Sequence, residues 1–528
     1  MLRLRGHRGD QALVASVLIA LGLLSPLVLI ALDARQAGWR EIHAVLFRQR
    51  SVMLLWHTVL LTAIVVAAAA VVGTATALGT ERGGLPARRL WTVLIMMPLV
   101  IPDFVVGYAW HTHLPQFNPL LASALVMTLG TYPLVYLPVA AALRRSNPAM
   151  EETAHSLGAG RLEVLLRVTL PLVRTALLGG CVLVALTVMS EYGAFEILRY
   201  QTFTTEIFTE FEFNSQASAA LSVPLVLLGL IVLAADARIP RRAVAASAPQ
   251  RPLHRRSLGW AMVPVLASFA LLVALGVGVP LETLIYWMTK THDTTLSATV
   301  TLGQATWTTI RYSAAGAALA VVLALPVALM TVRHRSSVGR AALERSTYVT
   351  RAVPGVVIAL SLVFFATRYA YSLYKTSTLL IIAYAILNFP LALVCVKTSV
   401  AQAPLGLREV GVSLGRRPVN VFLRVTLPLI MPGLLAGFCL VFLTAVTELT
   451  ATLVLAPIGV QTLATQFWAY QSEVAYGAAA PYALVLIGLA VIPGAVLGLW
   501  FDRERHTTGL GLAAGRRKLL GRAGSARV

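Results

Sequence analysis

Carboxylates set into apolar sequence are the residues of this chain with the most chemical consequence. Glu191 and Glu448 each stand 20 residues beyond a proline, Pro171 and Pro428, that opens an apolar run. Twenty residues of helix span about 30 Å at 1.5 Å per residue, so both side chains fall toward the far side of a bilayer entered at the prolines. A charge at the bilayer centre costs roughly 2.5 to 3.5 kcal/mol even on permissive scales. Two carboxylates facing each other there repel unless one is protonated or a cation lies between them, which suits a passing metal ion. The plainer alternative is that each satisfies backbone groups at a broken helix end. Asp103, after Pro102, either lines the same path or caps a helix. Tyr132, Tyr136 and Tyr192 offer phenolate ligands, or else anchors at a membrane interface. His111 and His113 are two apart and would not share a helix face, and His155 has no partner at metal-ligand spacing, so no firm metal site is expected.

Other chemistry is excluded more directly. Lys290, Lys375, Lys397 and Lys518 are the only lysines, and none follows the glycine that a G-x-x-x-x-G-K-[ST] phosphate loop demands. The chain therefore has no means of that kind to hold ATP; no cofactor and no catalytic residue is expected. Cys181, Cys395 and Cys439 lie in apolar stretches without C-x-x-C spacing and read as small buried hydrophobes. The formal net charge of +21 suggests nucleic acid, but the basic residues fall in short loops between apolar runs, the pattern of cytoplasmic membrane loops.

The elements that must position these residues are membrane spans. With 58% hydrophobic and 12% charged residues, against about 25% charged in soluble domains, the chain is an all-α integral membrane protein. Apolar runs of roughly 20 residues fall near 12–32, 53–79, 90–111, 119–142, 172–194 and 219–235, then near 259–280, 305–331, 347–367, 377–398, 429–452 and 480–501. That gives about twelve transmembrane helices as two six-helix halves, 1–235 and 259–501, joined by a basic linker at 236–258 and followed by a basic tail at 502–528. The first run is too long for a signal-peptide core and reads as an uncleaved span. Arginine and lysine place both termini, the linker and two long interior loops in the cytoplasm. The loop Asp33 to Ser51, with Arg35, Arg40, Arg48 and Arg50, disagrees and is outvoted.

The two halves are copies. Residues 166 to 172, L-R-V-T-L-P-L, are identical to residues 423 to 429, and Gly158 aligns with Gly415 as Pro171 does with Pro428. Thr131-Tyr132-Pro133 matches Asn388-Phe389-Pro390, Glu191 matches Glu448, and Trp56-His57-Thr58 matches Trp307-Thr308-Thr309. Asp103 breaks the symmetry, because Pro354 is followed by Gly355. The copies run in the same direction, so their axis lies along the membrane normal. Each contains an amphipathic loop, near 148–171 and 404–428. In the first, Asn147 and Pro148 open a short helix, Met150, Ala154 and Leu157 give an apolar stripe, and Gly158 supplies a left-handed stop.

Glu152-Thr153-Ala154, then Gly158, then Val168-Thr169-Leu170-Pro171 resembles the E-A-A-x-x-x-G coupling loop of binding-protein-dependent ABC import permeases. The second copy, Glu409-Val410-Gly411 with Gly415, keeps the glutamate and glycine but loses both alanines. M-P-L-V-I-P-D-F-V-V-G-Y from Met97, Glu191-Tyr192-Gly193, T-F-T-T from Thr202 and T-E-L-T-A-T-L from Thr447 resemble the fused ferric-iron permeases within that superfamily, with thiamine permeases as close relatives. The resemblance implies a type I ABC importer permease fold in a bacterial inner membrane. It implies two copies of a cytoplasmic ABC ATPase that uses the ATP, an external binding protein that delivers substrate, and no enzyme activity in this chain. Glu152, Ala154, Gly158, Glu409, Gly411 and Gly415 would make the ATPase contacts, and Glu191, Tyr192, Glu448 and Asp103 would line the substrate pathway. Ferric iron is the expected substrate, with thiamine or another small solute as the alternative. An ion-driven secondary transporter is the competing class.

Overall fold

The structure, a computed structural model, describes residues 3–146, 149–238, 259–290, 295–333 and 349–494. The helix start at Asn147 and Pro148, most of the linker and the basic tail lie outside the described residues. The regular structure within them is helical. The first half comprises α1 (Arg3–Ala37), α2 (Trp39–Leu46), α3 (Gln49–Arg82), α4 (Arg88–Met96), α5 (Asp103–His113), α6 (Pro119–Arg145), α7 (Ala149–Ser156), α8 (Arg161–Val164), α9 (Leu170–Ser190), α10 (Gly193–Ile197), α11 (Phe203–Phe213) and α12 (Ser215–Ala237). The second half is described by residue ranges.

Ten helices among the described residues are long and apolar enough to cross a membrane, and a segment bent by 89°, α4 with α5, makes an eleventh. Sequence placed one straight span at 90–111. The bend falls at Ile101-Pro102, where the proline ring and the missing N–H end the preceding helix. The twelfth expected span corresponds to Gly355–Tyr369, a 15-residue helix that starts after Pro354 as α5 starts after Pro102. Two other spans are shorter than sequence suggested: α9 stops at Ser190 and its counterpart Leu427–Val446 stops before Glu448. Both carboxylates therefore lie at helix breaks.

Prolines also shape the bases of these helices. Leu165–Thr169 and Phe422–Thr426 are π turns, each ending two residues before a proline, and Ala274–Gly278 before Pro280 is a third. A proline frees the carbonyl four residues earlier and crowds it; one wider turn accommodates that within a continuous helix. In α1, Pro26 frees the Gly22 carbonyl, and the Ser25 hydroxyl donates to it at 2.7 Å.

Each half extends its first helix onto the other: α1 packs on α12 of its own half and also reaches across. α1 lies against Gly355–Tyr369 and Thr295–Arg333 of the second half, and Ser361 Oγ donates to the Pro26 carbonyl at 2.9 Å. Reciprocally, Met262–Val273 lies against α4 and Val279–Lys290 against α5, and His113 Nε2 meets Glu282 Oε2 and Thr283 Oγ1, each at 3.0 Å. Both buried apolar clusters therefore draw side chains from both halves: Phe467 and Tyr482 join Phe104 and Tyr132, while Leu23 and Phe203 join Val357 and Tyr384. Within each half, helices approach closely where side chains are small. A Cβ on Gly180 would come 2.8 Å from Val135 Cα, and Gly437, its repeat partner, faces Cys395 Cβ at 3.4 Å.

The basic loop that disagreed with the orientation has a structural use. Arg48 Nη2 bonds Glu206 at 2.7 Å and Glu210 at 2.6 Å, and Arg50 bonds Glu206 at 2.7 Å. These pairs tie the start of α3 to α11.

Candidate functional site: a carboxylate junction and two coupling loops

Each glutamate begins as a cap. Beyond α9 the backbone turns extended at Glu191, and its Oε1 accepts the Ala194 N–H at 2.8 Å, closing the start of α10. Glu448 repeats this, accepting the Ala451 N–H at 3.0 Å at the start of Thr450–Leu455. The plainer alternative raised from sequence, that these carboxylates satisfy a broken helix end, is thus part of their geometry. One hydrogen bond leaves most of a carboxylate's acceptor capacity unused.

The two breaks meet. A Cβ on Gly193 would lie 2.8 Å from Leu449 Cδ2 and 2.9 Å from Phe104 Cβ, so the residues beside Glu191, Glu448 and Asp103 are in contact. Asp103 and Glu448 are both close enough to act electrostatically on Glu191. Glycines make the room: Asp103 Oδ1 occupies the place where a Cβ on Gly130 would stand. In the second half the same pair of positions is exchanged. Gly355 stands in place of Asp103 and Leu387 in place of Gly130, and a Cβ on Gly355 would have Leu387 Cδ2 at 3.6 Å and Glu448 Oε1 at 3.5 Å. A large residue opposes a glycine in both halves, with the roles reversed, and the result is a junction with three carboxylates instead of four or two.

Among the described residues no group of three His, Cys, Asp or Glu is arranged to hold a metal ion. The aromatic candidates divide. Tyr132 donates its hydroxyl to the Ile95 carbonyl at 2.7 Å, and Tyr136 receives the Thr80 hydroxyl at 3.4 Å, both deep in the first half. Tyr192 stacks on Phe208 with centroids 4.3 Å apart and tilts against Trp468 at 5.5 Å, which places it at the contact of the halves.

The coupling loops form at the opposite ends of α9 and Leu427–Val446. Gly158 has φ +89° and Gly415 φ +77°, and a Cβ on either would meet nothing within 4 Å. Backbone sign alone requires glycine there. The Ala159 N–H reaches the Ala154 carbonyl at 3.0 Å, and the Arg416 N–H reaches the Gly411 carbonyl at 3.3 Å, so both copies end in the same cap. Glu152 and Glu409 are exposed, and so are Leu157 at 82% and Leu414 at 76%. Ala154 is half-buried. Gly411, in its place, sits so close to Val421 that a Cβ would come within 3.1 Å, which accounts for the lost alanine in the second loop.

Sequence reasoning missed one cluster beside the first loop. Glu81, buried at the end of α3, bonds Arg144 Nε at 2.7 Å and pairs with Arg88, while Arg82 Nη2 bonds Glu151 at 2.9 Å. The available signal was Glu151 itself, which aligns with Arg408 in an otherwise matched repeat.

This arrangement, two repeated bundles with an exposed loop on each and a shared polar junction between them, is that of a transport permease. The chain belongs to the family of binding-protein-dependent transport system inner membrane components, matched at residues 69–244 and again at 320–504. It is 35% identical, over 90% of its length and 96% of the relative's, to the Fe(3+)-transport system permease protein FbpB 2 of Haemophilus influenzae. It is 22% identical, over 95% of its length and 79% of the relative's, to the ferric transport system permease protein FbpB of Actinobacillus pleuropneumoniae. A sulfate transport system permease protein, CysW of Synechocystis, is 30% identical over 33% of this chain and 71% of its own.

Proposed function

We propose that the chain is the membrane permease of an ATP-driven importer of ferric iron. The observation that carries this reading is the 35% identity that runs through nearly the whole of both chains to an Fe(3+)-transport permease. The junction supports it physically. Asp103, Glu191 and Glu448 bring three carboxyl groups to a meeting point of the halves, oxygen donors of the kind a hard cation takes. Two copies of a cytoplasmic ATPase would dock on the loops around Glu152 and Glu409, whose exposed leucines offer apolar contact, and an external binding protein would deliver the ion. The loops, linker and both termini would then lie in the cytoplasm of a bacterial cell. The match to binding-protein-dependent permeases over both halves speaks against an ion-driven secondary transporter.

Uptake of radioactive iron under iron limitation, in a strain lacking the permease, tests this reading, with thiamine and sulfate as parallel arms. Loss of iron uptake alone, restored by the intact chain, is the expected result; a defect confined to another arm would overturn the substrate. Glu191→Gln and Glu448→Gln keep an oxygen that accepts the Ala194 or Ala451 N–H and replace the other carboxyl oxygen with an NH2 group, removing any charge. Each is expected to lower iron uptake about tenfold, the loss of roughly 1.4 kcal/mol of cation stabilisation. Normal uptake by both variants would leave these groups as caps alone.

A further inference from the structure

Among the described residues, the ion cluster beside the first coupling loop has no counterpart beside the second. Arg82 Nη2 bonds Glu151 Oε1 at 2.9 Å and Ser146 Oγ at 2.7 Å, and Thr169 Oγ1 donates to the same Glu151 oxygen at 3.1 Å. Glu151 lies on α7, Arg82 ends α3 and Thr169 is the last residue of the π turn beneath α9. One carboxylate thus joins the coupling helix to two membrane helices. Behind it, Glu81 holds Arg144 of α6 and Arg88 of α4, and Arg88 Nε reaches the Thr80 carbonyl at 2.7 Å. The Arg82 and Glu151 side chains are each only 18% exposed, so bulk salt screens their attraction weakly.

The second half lacks the residues for this cluster. Thr80 and Thr331 occupy matching places, each bonding the carbonyl four residues before it at 2.9 Å, which fixes the alignment. The residues after Thr331 are Val332 and Arg333, where the first half has Glu81 and Arg82. Arg408 stands where the first half has Glu151, and Ala401 where it has Arg144. Two arginines, both positive, cannot form the ion pair that Arg82 and Glu151 form. The second coupling helix, Leu405–Ser413, instead packs Gly411 closely on Val421.

We propose that Arg82 and Glu151 form a one-sided transmission clamp, which makes the first coupling helix move as one body with the pathway helices α3 and α9 and leaves the second less tightly joined. This rests on the ATPase reading above. The two ATPase contacts of the single chain are then unequal: closure at the first is passed directly to the pathway, and closure at the second is passed with slack. Arg82 and Glu151 are positioning residues in this scheme, since neither needs to touch the transported ion.

The test uses the full chain purified with its ATPase and reconstituted into vesicles with the binding protein. ATP hydrolysis and iron uptake are measured together for Arg82→Glu, Glu151→Arg and the Arg82→Glu/Glu151→Arg exchange. Each single variant is expected to raise the ATP spent per ion about tenfold, within the range by which such networks alter coupling, and the exchange to return it to within about threefold of the parent. Amide exchange in the same complex should be slower in α7 than in Leu405–Ser413, and Arg82→Glu should erase that difference. An unchanged ratio in the single variants, an exchange no better than either of them, or equal exchange rates in the two loops of the parent would overturn the clamp. A parent chain that purifies without any ATPase would overturn the importer reading together with it.

Discussion

A single exchanged pair shows how one residue can be read against its copy. Asp103 needs the space above Gly130, and Gly355 yields that space to Leu387 and Glu448. Gly130→Ala would drive a methyl into the carboxylate, an overpacking that costs about 1–3 kcal/mol. Adding Asp103→Gly should recover most of that loss, and thermal unfolding of the two variants in detergent would measure the coupling between them. Independent, additive losses would mean that Asp103 does not occupy the position described. Sequence identified the asymmetry at Asp103 but not its partner, because Gly130 gives no signal by itself. Glu191 and Glu448 were legible as important from their setting. That they are both caps and neighbours was not, since a helix break leaves no mark in hydropathy when the residues around it remain apolar.

At the scale of elements, charge does the joining that apolar packing cannot do at the rim. Glu206, 6% exposed in its side chain, is held by Arg48 and Arg50. Removing both arginines leaves a largely buried carboxylate without a cation, at a cost of about 3–5 kcal/mol. Arg48→Ala/Arg50→Ala is therefore expected to unfold at lower temperature, and Glu206→Gln in that background should restore part of the loss. The same arginines counted against the topology when read by loop charge alone, because a residue's partner, 156 or 158 positions away, is invisible to a local rule. Long helices were the easier inference: the runs near 53–79, 119–142 and 377–398 fall inside Gln49–Arg82, Pro119–Arg144 and Ser377–Gln402. Boundaries moved wherever proline or a capping carboxylate intervened, as at Pro102, Glu191 and Glu448.

For the whole molecule, the repeat was legible as duplication, and two six-helix halves followed from it. The interleaving was not, since the reach of α1 and of the Gly259–Lys290 helix onto the other half changes neighbours without changing the sequence pattern. Residues 1–238 and 259–528, expressed as two chains, should therefore co-purify, each supplying a helix that the other buries. Removing α1 should destabilise Gly355–Tyr369 of the other half as well as α12 of its own, since α1 packs on both, and amide exchange would report it. Recovery of either half alone as a stable, folded species would contradict the shared cores.

The first helix also bears on how the protein is made. The contacts of Leu23 and Pro26 lie with Thr350 and Ser361, 327 and 335 residues further along the chain. At synthesis rates of roughly 5–20 residues per second, α1 waits about 15–70 s in the bilayer before its partner in the second half emerges from the ribosome. During that interval the part of α1 not covered by α12 meets lipid or a membrane chaperone, and the Pro26 carbonyl lacks the Ser361 hydroxyl. A nascent permease is thus most exposed to quality-control proteases while it is half-translated, and ribosome pausing between the halves should lower its yield more than pausing after the last span.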